Sequence, residues 1–86
     1  MKIKLTAAPK KIKIHTPFIK LDGFLKLSGE AASGAEAKDL IGKGNVRVNG
    51  EVCLMRGKKL VDKDQVLLNG RLYEVSGHDH NLFKPS

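Results

Sequence analysis

The chain has 86 residues, 41% of them hydrophobic and none of them tryptophan; one domain with a modest core of Leu, Ile, Val and Ala is expected, with no room for a second. A net charge of +7 points to an anionic partner, and the single cysteine, Cys53, excludes an internal disulfide framework. No apolar run is long enough to span a membrane and the lysine-rich start lacks a signal-peptide core, so a reduced, cytoplasmic setting is expected.

The charge is unevenly placed. Residues 1–20 hold Lys2, Lys4, Lys10, Lys11, Lys13 and Lys20 and no acid, whereas the rest carries ten bases against nine acids. In this first stretch Lys2-Ile3-Lys4-Leu5 and Lys11-Ile12-Lys13-Ile14 alternate with period two, the pattern of half-buried strands with a lysine face toward water. Two edge strands paired as a hairpin are predicted. Their lysines either keep an edge from aggregating or face an anionic partner.

Thr16-Pro17 breaks the pattern. Leu21, Phe24, Leu25 and Ser28 then recur at i, i+3, i+4 and i+7, predicting a short amphipathic helix that Gly23 weakens and Gly29 ends. Ser33-Gly34-Ala35-Glu36 fits a capping box, with Ser33 accepting from the Glu36 N–H and Glu36 reaching back to the Ser33 N–H. A second helix is predicted over about 34–43, with Ala35, Ala37, Leu40 and Ile41 on it. Two Asn-Gly pairs follow, each between apolar runs: Asn49-Gly50 and Asn69-Gly70. Both predict hairpins, because a type I′ turn needs positive φ at its two central residues. From Gly77 onward the chain reads as an irregular tail. Together these elements predict an α+β domain, two short helices on a small, mainly antiparallel sheet.

At this point the order of elements resembles the S4 RNA-binding domain. The resemblance is carried by Lys20-Leu21-Asp22 leading an apolar helix, by the Ser33-led helix with its central Ala and an Ile, and most specifically by Gly44-Asn45-Val46-Arg47-Val48-Asn49-Gly50. Leu60, Asp62, Asp64 and Val66 resemble the family's turn into its closing strand. With Arg56-Gly57-Lys58-Lys59-Leu60 after the hairpin, the chain looks closest to small bacterial stand-alone S4 proteins. The division expected is lysine-rich strands over 1–18, an S4-like domain over 19–75 and a tail over 76–86. One departure is Gly34, where many S4 domains carry arginine.

The resemblance implies an αL motif, a helix pair and hairpin forming a platform for folded RNA, with ribosomal RNA or the ribosome as preferred partner. Such binding needs a rigid base and cations spaced to meet phosphates. The candidates are Lys20, Lys26, Lys38, Lys43, Arg47, Arg56, Lys58 and Lys59. Lys38, Lys43, Arg47 and the Arg56–Lys59 cluster are expected to form one basic surface, provided Asp39 and Glu51 do not interrupt it. Ser33, Glu36, Asn49 and Gly50 are expected to be structural.

Other functions are poorly supported. Phe18, Phe24, Tyr73 and Phe83 are too few for an aromatic platform that stacks single strands. No metal-ligand cluster has recognised spacing; His78-Asp79-His80 falls in the tail. Cys53 is read as an inert thiol in a strand rather than a nucleophile, and Gly42-Lys43-Gly44 is too short for a phosphate-cradling loop. A non-catalytic monomer without cofactor or small-molecule substrate is expected. The rival reading is a protein-interaction module that docks through its basic N-terminal strands.

Overall fold

The computed structural model describes residues 8–77. In chain order they form β1 (Lys10–Lys13), β2 (Ile19–Lys20), α1 (Leu21–Ser28), α2 (Gly34–Gly42), β3 (Val46–Val48), β4 (Glu51–Val52), β5 (Lys59–Leu60), β6 (Gln65–Leu68) and β7 (Arg71–Ser76). The strand expected over residues 2–5, the His78-Asp79-His80 triplet and the tail beyond Gly77 lie outside the described residues. The two helices pack on a five-stranded sheet of order β1-β7-β6-β3-β4, and β2 and β5 form a separate antiparallel pair.

Local chemistry explains both helices. α1 has no side-chain cap; its first amides, Leu21 and Asp22, donate instead to the carbonyls of Lys58 and Arg56 at 2.8 and 3.1 Å. It ends at Gly29, which takes a φ of 90° that side chains other than glycine resist. α2 opens with the expected Ser33 cap, whose Oγ accepts from the Glu36 N–H at 3.2 Å. The return bond runs one residue further back than a capping box predicts: the Glu36 carboxylate accepts from the Ala32 N–H, not from Ser33.

Both Asn-Gly pairs make the predicted turns, with φ of 52° and 90° at Asn49 and Gly50 and 54° and 76° at Asn69 and Gly70. The first turn is also bolted to the rest of the sheet. The Asn49 side chain accepts from the Gln65 N–H at 2.9 Å and donates to Asp64 Oδ1 at 3.2 Å. Between β5 and β6 the expected turn is present: Asp64 Oδ2 accepts from the Val61 N–H at 2.9 Å, and Lys63 sits at a φ of 79°.

Alternation along the strands sorts the residues. Val46, Val48, Val66, Leu68, Tyr73 and Val75 face the helices and join Leu21, Phe24, Leu25, Ala37 and Ile41 in one buried cluster. Phe24 meets Tyr73 edge to face, with ring centroids 6.3 Å apart. Each such large side chain contributes roughly 1.5–3 kcal/mol on burial. Arg47, Leu67, Leu72 and Glu74 fall on the opposite, open face.

The structure gives β1 a partner and corrects the reading of Cys53. β1 is an edge strand of the described sheet, as expected, and pairs in parallel with β7, while its expected hairpin partner over residues 2–5 lies outside the described residues. Ile12 and Ile14 draw it there by packing against the core. Cys53 is not in a strand. β4 stops at Val52, and Cys53 is half buried where the chain turns away, its Sγ 3.7 Å from the Met55 carbonyl.

Candidate nucleic-acid interface

The start of α1 organises a group of cations. Strand β2 runs into α1 and pairs with β5, setting Lys20 opposite Lys59. The preceding Met55–Lys58 turn, closed by a 3.0 Å bond from the Lys58 N–H to the Met55 carbonyl, turns its own carbonyls inward to cap α1. Because the backbone of Arg56 and Lys58 faces the helix, their side chains are left exposed. Lys59 also lies over the Phe18 ring, 4.8 Å from its centroid, a contact that pins the ammonium group in place. Lys20, Arg56, Lys58 and Lys59 thus share one end of the molecule.

The other candidates are placed separately. Lys38 and Lys43 are exposed on α2, whose Ala37 and Ile41 face the core. Lys26 is exposed in the last turn of α1. Arg47 points to the open face of the sheet, its Nη1 donating to the Gly50 carbonyl at 3.4 Å. Its strand partner Val52 lies close over Gly44, and Lys43 immediately precedes that glycine. Arg47 therefore stands beside Val52 across the β3–β4 pair. Between Val52 and Lys58 runs an open groove of about 450 Å³, whose walls include Val48, Glu51, Leu54 and Met55. The groove has a partial basic rim: Lys58 lines it and Arg56 is exposed on the same turn, Arg47 lies on the adjoining strand β3, and Lys38 and Lys43 line a separate exposed hollow on α2.

Acids do enter this surface. Asp39 pairs with Lys43 at 2.9 Å, both side chains exposed, and Glu51 lines the groove. An exposed i,i+4 pair of this kind is worth only about 0.3–0.5 kcal/mol, so Lys43 is easily drawn to a phosphate instead. The rim cations have no carboxylate partner among the described residues.

The sequence reading missed a polar cluster behind the helices. Glu30, in the α1–α2 connection, accepts from the Tyr73 hydroxyl and from Arg71 Nη1 at 2.9 Å. Its side chain is only 6% exposed. The Tyr73 hydrogen bond, aided by Arg71, holds the Glu30 carboxyl below the usual carboxylate range against the opposing effect of burial. The same bond raises Tyr73, whose hydroxyl would have to ionise beside a carboxylate. This cluster ties the helix pair to the β6–β7 hairpin and is remote in sequence, so no local pattern announces it.

Among the described residues no group of three or more His, Cys, Asp or Glu side chains gathers to hold a metal, and no helix is long and apolar enough to cross a membrane.

The fold and its basic rim define a small helix-pair-on-sheet domain built around an exposed hairpin. The profile of the S4 domain matches residues 12–76, and the chain belongs to that family. Among solved structures it is similar to YbcJ from E. coli, whose solution structure is described as revealing an αL ("alfaL") motif involved in RNA binding. That likeness has a TM-score of 0.63 at 29% identity and covers 90% of this chain and 99% of YbcJ. No curated protein matches the sequence.

Proposed function

We propose that this protein is a non-catalytic RNA-binding module that docks its basic rim onto structured RNA, with ribosomal RNA as the target, as a cytoplasmic, ribosome-associated monomer. The observation that carries the reading is the gathering of Lys20, Arg56, Lys58 and Lys59 at the start of α1 by the β2–β5 pair and its turn. These cations stand on backbone already fixed by hydrogen bonds, so little ordering is needed when phosphates arrive. S4 membership and the likeness to an RNA-binding αL protein support the same reading. Lys26, Lys38, Lys43 and Arg47 extend the contact along the helices and around the hairpin.

The test is fluorescence anisotropy with a folded ribosomal RNA fragment across a salt series. Wild-type log K should fall linearly with log salt. The Arg56→Ala/Lys58→Ala variant should bind more weakly with a slope shallower by about 2, one for each lost phosphate contact. Unchanged slope and affinity would remove these residues from the interface. The alternative, a protein-docking edge, is favoured by the position of β1 at the border of the sheet. It predicts instead that charge reversal at Lys11 and Lys13 abolishes capture of an acidic protein.

A further inference from the structure

The groove beside the capping turn is mixed in character: Asn49, Glu51 and Lys58 are polar, but one stretch of its wall, Val52 with Leu54 and Met55, is apolar and open to water. Leu54 is 64% exposed, Met55 66% and Val52 47%, and all three line the groove between β4 and the turn that caps α1. Large apolar side chains held in water within one patch mark a binding site more often than chance exposure does. The walls are held rigidly. Cys53 N–H donates to the Val46 carbonyl at 3.0 Å on one side, and the Met55–Lys58 turn is closed and fastened to α1 on the other.

A continuous RNA helix offers this feature nothing, since it presents phosphates and 2′-hydroxyls outward and keeps its bases stacked. An unpaired nucleotide offers both of the chemistries required. Its base has two apolar faces, which fit Leu54, Val52 and the polarisable Met55 thioether, a group that makes favourable contacts with aromatic rings. Its phosphate is an anion that fits the rim. The charges also set the direction of entry: Lys58 and Arg56 stand on the turn side, whereas Glu51 stands on the hairpin side and repels a phosphate. A volume of about 450 Å³ lies within the roughly 300–1,000 Å³ typical of clefts for small ligands.

We infer that the β4–α1 groove receives a single extruded nucleotide, its base against Val52, Leu54 and Met55 and its phosphate at Arg56 and Lys58, so that the protein selects RNA stems carrying an unpaired residue over uninterrupted stems. The inference rests on the RNA-binding reading and names the class of RNA that the same surface takes.

The experiment compares an uninterrupted RNA hairpin with the same hairpin carrying one bulged nucleotide, by anisotropy at fixed salt. The proteins are wild type, Leu54→Ala/Met55→Ala and Arg56→Ala/Lys58→Ala, each first checked for an unchanged melting temperature. Wild type should bind the bulged stem about tenfold more tightly, the order that burying one base face against three apolar side chains supplies. The Leu54→Ala/Met55→Ala variant should lose that preference while keeping the affinity and salt slope for the uninterrupted stem. A 2-aminopurine placed at the bulge should change in fluorescence with wild type and not with this variant. Arg56→Ala/Lys58→Ala should weaken binding to both RNAs. Equal binding of the two RNAs by wild type, or a preference that survives Leu54→Ala/Met55→Ala, overturns the groove assignment while leaving RNA binding in place. Failure of wild type to bind either RNA at low salt overturns both readings and turns the groove over to a protein partner.

Discussion

At the scale of single residues, two positions carry most of the unexpected physics. Lys63 sits at a φ of 79° in the β5–β6 turn, where a side chain costs about 1–2 kcal/mol and glycine nothing. Part of that gain is offset by the greater freedom of glycine in the unfolded chain. Lys63→Gly should therefore raise stability by about 0.5–1 kcal/mol in a urea melt. Tyr73 is the second. Replacing it with Phe keeps the ring against Phe24 but strips the nearly buried Glu30 carboxylate of one donor. A hydrogen bond to a charged group is worth about 1.5–3 kcal/mol, so Tyr73→Phe should destabilise by that order at neutral pH. The sign with pH follows from the lowered Glu30. Its stabilisation is complete above the unfolded glutamate value of about 4.3 and is lost as pH falls from there through the lower folded value. Acid melts of wild type should show this loss, and Tyr73→Phe should show less of it.

At the scale of elements, the helices and hairpins were legible because their signals are local. Leu21, Phe24 and Leu25 share a helix face, Ser33 caps at the predicted distance, and each Asn-Gly pair dictates its own turn. Gly23 is the weak point of α1 that the sequence indicates. A methyl group there would sit 3.6 Å from Ile19 Cγ1, an ordinary contact, so nothing in the fold requires glycine. Gly23→Ala should gain about 0.5–1 kcal/mol from helix propensity, read as a melting temperature several degrees higher. The β2–β5 pair was not legible. Two residues on each side leave no periodicity, and their register comes from Leu60 being buried and from the α1 amides needing the carbonyls of Arg56 and Lys58.

At the scale of the whole molecule, the overall charge is a poor guide to the interface, and residue placement a better one. The sequence reading grouped Lys38, Lys43, Arg47 and the Arg56–Lys59 cluster on one surface. The three-dimensional arrangement adds Lys20 opposite Lys59, turns Arg47 to the open face, and pairs Lys43 with Asp39. Alternation correctly turned Arg47 away from the core, but it could not say which element would stand beside it. The same holds for Leu54 and Met55. Their exposure depends on β4 ending at Val52, an event set by the turn that must reach back to α1 rather than by any property of the two residues.

The parallel pairing of β1 with β7 has a consequence for how the chain is made. The strand nearest the start of the described chain finds its partner only in the last one, so its closure spans almost the whole sequence and belongs to the slow, non-local part of folding. During synthesis the helix pair and the first hairpin can form while β1 waits with an unpaired backbone, the condition under which strands aggregate. Lys10, Lys11 and Lys13 are then most useful before the protein is finished: they keep the waiting strand in solution until β7 emerges to receive it.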